Sequence, residues 1–124
     1  MKRLPDTELE VIKALWVCGD HTPRAALEKE LEGFGWATNT VNTYLTRLVN
    51  KGFVSVEHNR SGNLYSAIVS KEEYQEFDSR SILSHLYGSP RNFVAALARS
   101  GLKEGELEEL HLLLNELEAG KGEH

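Results

Sequence analysis

Apolar side chains recur at helical spacing from the start of the chain. Leu9, Ile12, Leu15 and Trp16 form one stripe, which predicts a helix over residues 6–17. Asp6 or Thr7 can cap it, and Thr7 with Glu10 fits the capping-box spacing. Cys18, Gly19 and Asp20 end it. Thr22 and Pro23 read as an N-cap followed by proline at the first helical position. The helix they open turns Ala26, Leu27 and Leu31 inward and closes at Gly33. Phe34, Gly35 and Trp36 make a turn whose two rings are expected on the core.

A third helix, residues 38–51, begins at Thr38 as cap. Val41, Tyr44, Leu45 and Leu48 share one face. At about 100° per residue, Asn39, Thr43, Thr46, Arg47 and Asn50 fall opposite, with Thr40 and Asn42 at the flanks. Lys51 and Gly52 supply a C-terminal stop. Residues 53–58 and 64–69 are β-rich runs around a loop containing Asn59, Arg60, Ser61, Gly62 and Asn63, the pattern of a hairpin. Three helices followed by a hairpin give a winged helix-turn-helix, with the hairpin as the wing.

The rest is helical. Residues 71–87 carry Tyr74, Phe77, Ile82, Leu83, Leu86 and Tyr87, and Gly88 breaks the run. Ser89 and Pro90 form a second cap-and-proline pair, opening a helix with Phe93, Val94, Leu97 and Ala98. The last helix, about 103–118, steps Leu107, Leu110, Leu114 and Leu117 along a short heptad-like seam. Residues 119–124 read as a frayed tail. The expected fold class is therefore mainly α with a small β-hairpin. A winged-helix DNA-binding domain occupies 1–70 and a helical dimerisation region occupies 71–124.

Charge first points away from nucleic acid. The 124 residues hold 14 Lys and Arg against 19 Asp and Glu, a net of −5. Divided by segment, residues 1–70 carry 8 basic and 8 acidic side chains, and residues 71–124 carry 6 and 11. Within 33–70, Arg47, Lys51 and Arg60 face Glu57 alone. The excess acid lies wholly in the last third. Hydrophobic residues at 40% and charged residues at 27% are an ordinary globular balance. No apolar run approaches the length of a membrane span. The basic start lacks the apolar segment of a signal peptide. The single cysteine, Cys18, cannot form an intrachain disulfide, so a cytoplasmic home without direct membrane binding is expected.

Catalytic motifs do not emerge. There is no glycine-rich phosphate loop, no GxSxG and no HExxH. The histidines at 21, 58, 85, 111 and 124 share no ligand spacing, so no metal or other cofactor is expected. Cys18 reads as a small buried hydrophobe. An enzyme is not indicated.

The strongest constellation is the polar face of helix 38–51. Beyond the cap, six of residues 38–50 are Thr or Asn, poor helix formers. A helix selected only for stability would carry Glu, Lys and Ala outward; one entering a major groove needs short polar and cationic side chains. Thr38, Asn39, Thr40, Asn42, Thr43, Thr46 and Arg47 are the candidate DNA contacts. Arg47 suits guanine O6 and N7 or a phosphate. Lys51, Arg60 and the 60–63 backbone are candidate phosphate grips. For the wing, an ordinary hairpin turn is an equal reading.

The leucine seam admits an intramolecular core. However, residues 71–124 hold too few apolar side chains for a second compact domain. A second copy is the simplest partner. Phe93, Leu97, Leu107, Leu110, Leu114 and Leu117 are the candidate dimer contacts. Glu104, Glu106, Glu108, Glu109, Glu116 and Glu118 form a solvated face.

A resemblance then stands out. Leu4 to Ile12, Leu15-Trp16, the run Trp36 to Leu48 and Lys51-Gly52-Phe53 resemble the penicillinase-repressor family of the BlaI, MecI and CopY type. The wing from Ser61 to Tyr65 and the Leu107–Leu117 helix are similar too. The resemblance implies a bacterial dimeric winged-helix repressor on a palindromic double-stranded DNA operator. The copper-responsive branch carries a C-terminal Cys-x-Cys motif, which has no counterpart after Cys18. The β-lactam branch is inactivated by a cut between Asn and Phe under a membrane sensor protease. Here Asn92-Phe93 stands at the matching place. Asn42 departs from the family's pattern, and the wing tip from Asn59 to Asn63 matches it only loosely. Two other classes compete: a winged-helix protein-interaction module that never touches DNA, favoured by the net charge, and a small-molecule-responsive winged-helix regulator.

Overall fold

The computed structural model describes residues 1–122. It divides the chain into two compact units, Met1–Ser81 and the residues from Ile82 onward. This division falls later than position 70, and the packing of Tyr74 explains why.

The first unit opens with α1 (Asp6–Cys18). Val11, Ile12, Ala14 and Leu15 are buried, with Leu9 and Trp16 packed against them. The inward face is thus broader than the four-residue stripe, and it includes Glu8. Neither Asp6 nor Thr7 caps this helix. Pro5 does, with no side-chain cap bond, and its carbonyl accepts from Leu9 N at 2.9 Å.

Thr22 and Pro23 form a short strand, β1 (Thr22–Pro23), instead of a cap and first turn. Thr22 Oγ1 donates back to the Gly19 carbonyl at 2.8 Å, so it is not available to the next helix. That helix, α2 (Arg24–Glu30), has Pro23 as its N-cap and buries Leu27. A 3-10 turn, Glu32–Phe34, follows in place of helix reaching Gly33.

Helix α3 (Thr38–Asn50) buries Val41, Leu45 and Leu48. Its N-cap is Ala37, so Thr38 is the first helical residue and makes no cap bond. Its C-terminus closes as a Schellman motif: Gly52 N donates to Val49 O at 3.1 Å and Phe53 N to Leu48 O at 3.0 Å. The motif requires a left-handed residue after the cap, and Gly52 takes φ +83°.

Strands β2 (Val54–Asn59) and β3 (Gly62–Ala67) pair antiparallel from Val54 opposite Ala67 to Asn59 opposite Gly62. Arg60 and Ser61 are the whole turn. β1 joins the other edge of β3, giving the order β1-β3-β2. The winged helix therefore carries a third strand that the hairpin pattern does not reveal. Pro23 is tolerated because β1 is an edge.

Ser70 opens α4 (Lys71–Ile82) through a capping box: Glu73 N donates to Ser70 Oγ at 3.1 Å and Ser70 N to Glu73 Oε1 at 3.2 Å. Tyr74 on this helix is buried. Its ring lies 6.2 Å from Trp16 and 6.0 Å from Phe53, and its hydroxyl accepts from Leu4 N at 2.8 Å. Arg3 Nε reaches Asp78 Oδ1 at 2.6 Å. These contacts make Tyr74 and its neighbours part of the first core.

In the second unit, a π-helical turn, Leu83–Tyr87, precedes Gly88. Helix α5 (Pro90–Gly101) has Ser89 as N-cap and proline at its start, as the sequence pattern indicates. Helix α6 (Glu104–Gly122) runs past the expected end near 118, because extending an established helix needs no new nucleus. Residues 119–122 are thus helical, while Glu123 and His124 lie outside the described residues. Among residues 90–121, no member of α5 or α6 is fully buried.

Candidate nucleic-acid interface

Burial of Val41, Leu45 and Leu48 dictates what α3 shows to solvent. Thr38, Asn39, Asn42, Thr43, Thr46, Arg47 and Asn50 are exposed, and Thr40 is half-buried. No carboxylate lies anywhere in residues 38–52. The outward surface is therefore made of amides, hydroxyls and one guanidinium.

The threonines are already committed in part. Thr43 Oγ1 donates to Asn39 O and Thr46 Oγ1 to Asn42 O, each at 2.9 Å. Such back-bonding uses the hydroxyl proton and fixes the rotamer. What each offers outward is a methyl group and oxygen lone pairs. The two hydroxyls are thus suited to accept from a base amine or to sit against a thymine methyl. Outward donors come from other side chains of the helix, among them Asn39, Asn42 and Arg47.

Arg47 is held from one side. Its Cζ lies 6.0 Å from the Tyr44 ring centroid. Tyr44 meets Trp36 edge-on at 5.1 Å, and Trp36 stacks on Phe34 at 4.5 Å. Trp36 packs against the core as expected, whereas Phe34, 49% exposed, stacks on its outer side instead of joining the core. Tyr44 is half-buried and packs against the core beside Val41, Leu45 and Leu48, at the edge of that face.

Lys51 is placed otherwise than a phosphate grip would require. Its Nζ lies 2.5 Å from Glu8 Oε1, and the Glu8 side chain is 3% exposed. The ammonium compensates a buried carboxylate and ties the C-terminus of α3 to α1. The sequence pattern does not single out Glu8, although its spacing from Ile12 and Leu15 sets it on the buried stripe.

The wing tip keeps Arg60 exposed. The Asn59 side-chain oxygen accepts from Ser61 N at 3.2 Å and Ser61 Oγ at 2.9 Å. That Asx turn consumes one of the backbone donors expected to meet phosphate. Asn63 Oδ1 lies 2.8 Å from His58 Nδ1 across the hairpin. Gly62 takes φ +123°, which the tight return into β3 needs.

Elsewhere, Cys18 is exposed at the end of α1 and is not the buried hydrophobe its position suggests. Partial desolvation first, and the Glu30 charge second, push its thiol up from the ordinary range. Among the described residues, no three His, Cys, Asp or Glu side chains gather as a metal site, and no helix is long and apolar enough to cross a membrane.

The second unit presents the other candidate residues. Leu107, Leu114 and Leu117 are exposed, as are Leu112 and Leu113, while Leu110 is half-buried. Phe93 is half-buried, its ring 4.9 Å from Tyr87 in an edge contact, and Leu97 is 37% exposed. Asn92 lies in the first turn of α5. Its N donates to Ser89 Oγ at 3.2 Å and its Nδ2 to Tyr87 O at 2.8 Å.

Residues 4–116 match the family model described as penicillinase repressor. The chain is 28% identical over 123 residues to the penicillinase repressor of Bacillus licheniformis, covering 94% of each chain. It is 23% identical over 114 residues to the methicillin resistance regulatory protein MecI of Staphylococcus aureus strain N315, covering 90% of this chain and 93% of that one. Among solved structures, a cysteine-to-serine mutant of MarR from E. coli is similar with a TM-score of 0.52 and 16% identity. That likeness covers 92% of this chain and 77% of MarR, and it shows the winged-helix fold.

Proposed function

The chain belongs to the penicillinase repressor family of transcriptional repressors, which are not enzymes, and we propose that it represses as a homodimer on a palindromic operator. Each copy inserts α3 into a major groove. Asn39, Asn42 and Arg47 supply donors to base edges, while Thr43 and Thr46 present methyls and acceptors. Thr38, Thr40 and Arg60 flank these contacts, the last as a phosphate contact from the wing. The observation that carries this reading is the outward face of α3: amides, hydroxyls and a guanidinium with no acid among them. Such a face is a poor choice for helix stability and a good one for groove recognition.

Dimerisation runs through Phe93, Leu97, Leu107, Leu110, Leu114 and Leu117. The exposure of leucines along α6 supports it: Leu107, Leu114 and Leu117 are 56–57% exposed, and covering that remainder against a second copy contributes about 1 kcal/mol each. The glutamates of α6 remain in solvent. Few cations per copy mean that tight binding needs two half-sites.

Release by a cut at Asn92-Phe93, under a membrane sensor protease, extends the likeness to the β-lactam regulators. The Ser89 cap bears on this step. A protease requires an extended strand, and this bond lies in a capped helical turn. The first turn of α5 must therefore open before cleavage, which separates the last helix from the reading head. The repressor works where chromosomal DNA is, in the cytoplasm.

The test uses a duplex selected by the wild-type protein from a randomised pool. Arg47→Ala weakens binding to it and leaves the sedimentation of the protein unchanged. Binding by the wild type falls steeply with salt, by roughly 10³-fold between 50 and 200 mM for several phosphate contacts. Retention on DNA that ignores salt, or no retention on any duplex, supports the protein-interaction reading instead.

A further inference from the structure

An arginine on an exposed helix normally samples many rotamers, at roughly 2 kcal/mol of side-chain entropy. Arg47 is exposed, yet it is backed by a continuous run of rings. Phe34 and Trp36 stack with an interplanar angle of 15° and centroids 4.5 Å apart. Trp36 abuts Tyr44 at 5.1 Å and 68°. Tyr44 faces the Arg47 guanidinium at 6.0 Å, and it lies three residues before Arg47 on α3, so the two share a side of the helix.

Trp36 and Tyr44 are half-buried and pack against the core with one side, while Phe34, at the outer end of the run, is not among the core-packing residues. The run leaves Phe34 49% exposed. Its direction is also informative. It starts at the 3-10 turn before α3 and ends at the only cation among residues 38–50.

From this geometry we infer that Tyr44, braced by Trp36 and Phe34, is a positioning residue that holds the Arg47 guanidinium in place for a paired-acceptor base edge such as guanine O6 and N7. The inference rests on the reading of α3 as the DNA-contacting helix. The ring face restricts the guanidinium plane before DNA arrives, so less rotamer freedom is lost on binding. Tyr44 itself touches no base. Its effect is on discrimination between sequences, not on phosphate attraction.

The experiment is a double-mutant cycle on the full chain, with a duplex selected by wild type from a randomised pool and a scrambled duplex of equal composition. Tyr44→Leu lowers affinity for the selected duplex about 2–5-fold, the equivalent of an exposed cation–π contact. It leaves affinity for the scrambled duplex and the salt slope unchanged. Tyr44→Phe keeps wild-type discrimination, because the ring face remains. In an Arg47→Ala background Tyr44→Leu has no further effect. Phe34→Ser, a change at an exposed ring outside the core, loosens the brace and shifts discrimination in the same direction, which carries the test if Tyr44→Leu does not fold. If Arg47→Ala loses discrimination while Tyr44→Leu and Phe34→Ser keep it, the positioning role is overturned and the DNA reading stands. If Arg47→Ala itself discriminates like wild type, Arg47 reads no base and the positioning role falls; if the wild type retains no duplex at all, the DNA reading falls with it.

Discussion

Replacing Lys51 by Met separates two roles for that residue. The change removes the ammonium and keeps an unbranched stem of similar length. It leaves the Glu8 carboxylate, 3% exposed, without the cation that lies 2.5 Å away. Removing one partner of a fully buried pair costs about 3–5 kcal/mol. A wholly exposed pair is worth about 0–1 kcal/mol. Here one end is buried and the other, Lys51, is 41% exposed, so water screens part of the loss. The expected cost is about 2 kcal/mol, between those limits. For a unit of this size, that lowers Tm by roughly 8–16 °C. Thermal denaturation followed by circular dichroism measures it. The double change Glu8→Leu with Lys51→Met removes the stranded charge as well, and most of the loss returns. DNA affinity in folded Lys51→Met, and its salt slope, stay near wild type because the ammonium is already engaged. Wild-type melting of Lys51→Met combined with a shallower salt slope would instead mark Lys51 as a phosphate contact.

Other perturbations follow from the same geometry. Gly52→Ala forces a Cβ into the left-handed turn after α3 and costs about 1–2 kcal/mol, read from the urea midpoint. Ser89→Ala removes the cap of α5 and costs that helix about 1 kcal/mol, so the Asn92 amide exchanges roughly 5-fold faster by hydrogen exchange. Leu110→Asp with Leu114→Asp places charge in the proposed dimer seam. Sedimentation then shows a monomer that retains helix content and binds a selected duplex at least roughly 10²-fold more weakly.

Much of the first unit is legible from apolar spacing alone. Ile12 with Leu15, Val41 with Leu45 and Leu48, and the runs on either side of Arg60 each announce their element. Periodicity works there because one face of each element is buried against the same core. The caps are harder to read. Thr22 has the right side chain for an N-cap, but pairing with Tyr65 in the sheet holds it one residue too early. Thr38 enters the helix because Ala37 already supplies the extended backbone before it. Tyr74 reads as part of a separate helical region because nothing local reveals its bond to Leu4 N, far away in sequence. In the candidate site, the outward residues of α3 follow from the helical period, and the structure exposes Asn39, Asn42, Thr43, Thr46 and Arg47 together. What the period does not carry is which polar groups are already spent. Glu8 on Lys51, Asn59 on Ser61 and the α3 carbonyls on Thr43 and Thr46 emerge only from tertiary or side-chain geometry.

Contact between DNA and the outward face of α3 is the step on which operator reading depends. A nuclear magnetic resonance titration of the full chain with a selected duplex tests it at the atoms concerned. The side-chain amides of Asn39 and Asn42 and the Arg47 guanidinium are expected to shift together and saturate at one duplex per dimer, while the Leu112 and Leu113 methyls of α6 stay in place. Shifts confined to residues outside α3 and the wing, with the Asn39, Asn42 and Arg47 side chains unmoved at saturation, would contradict it.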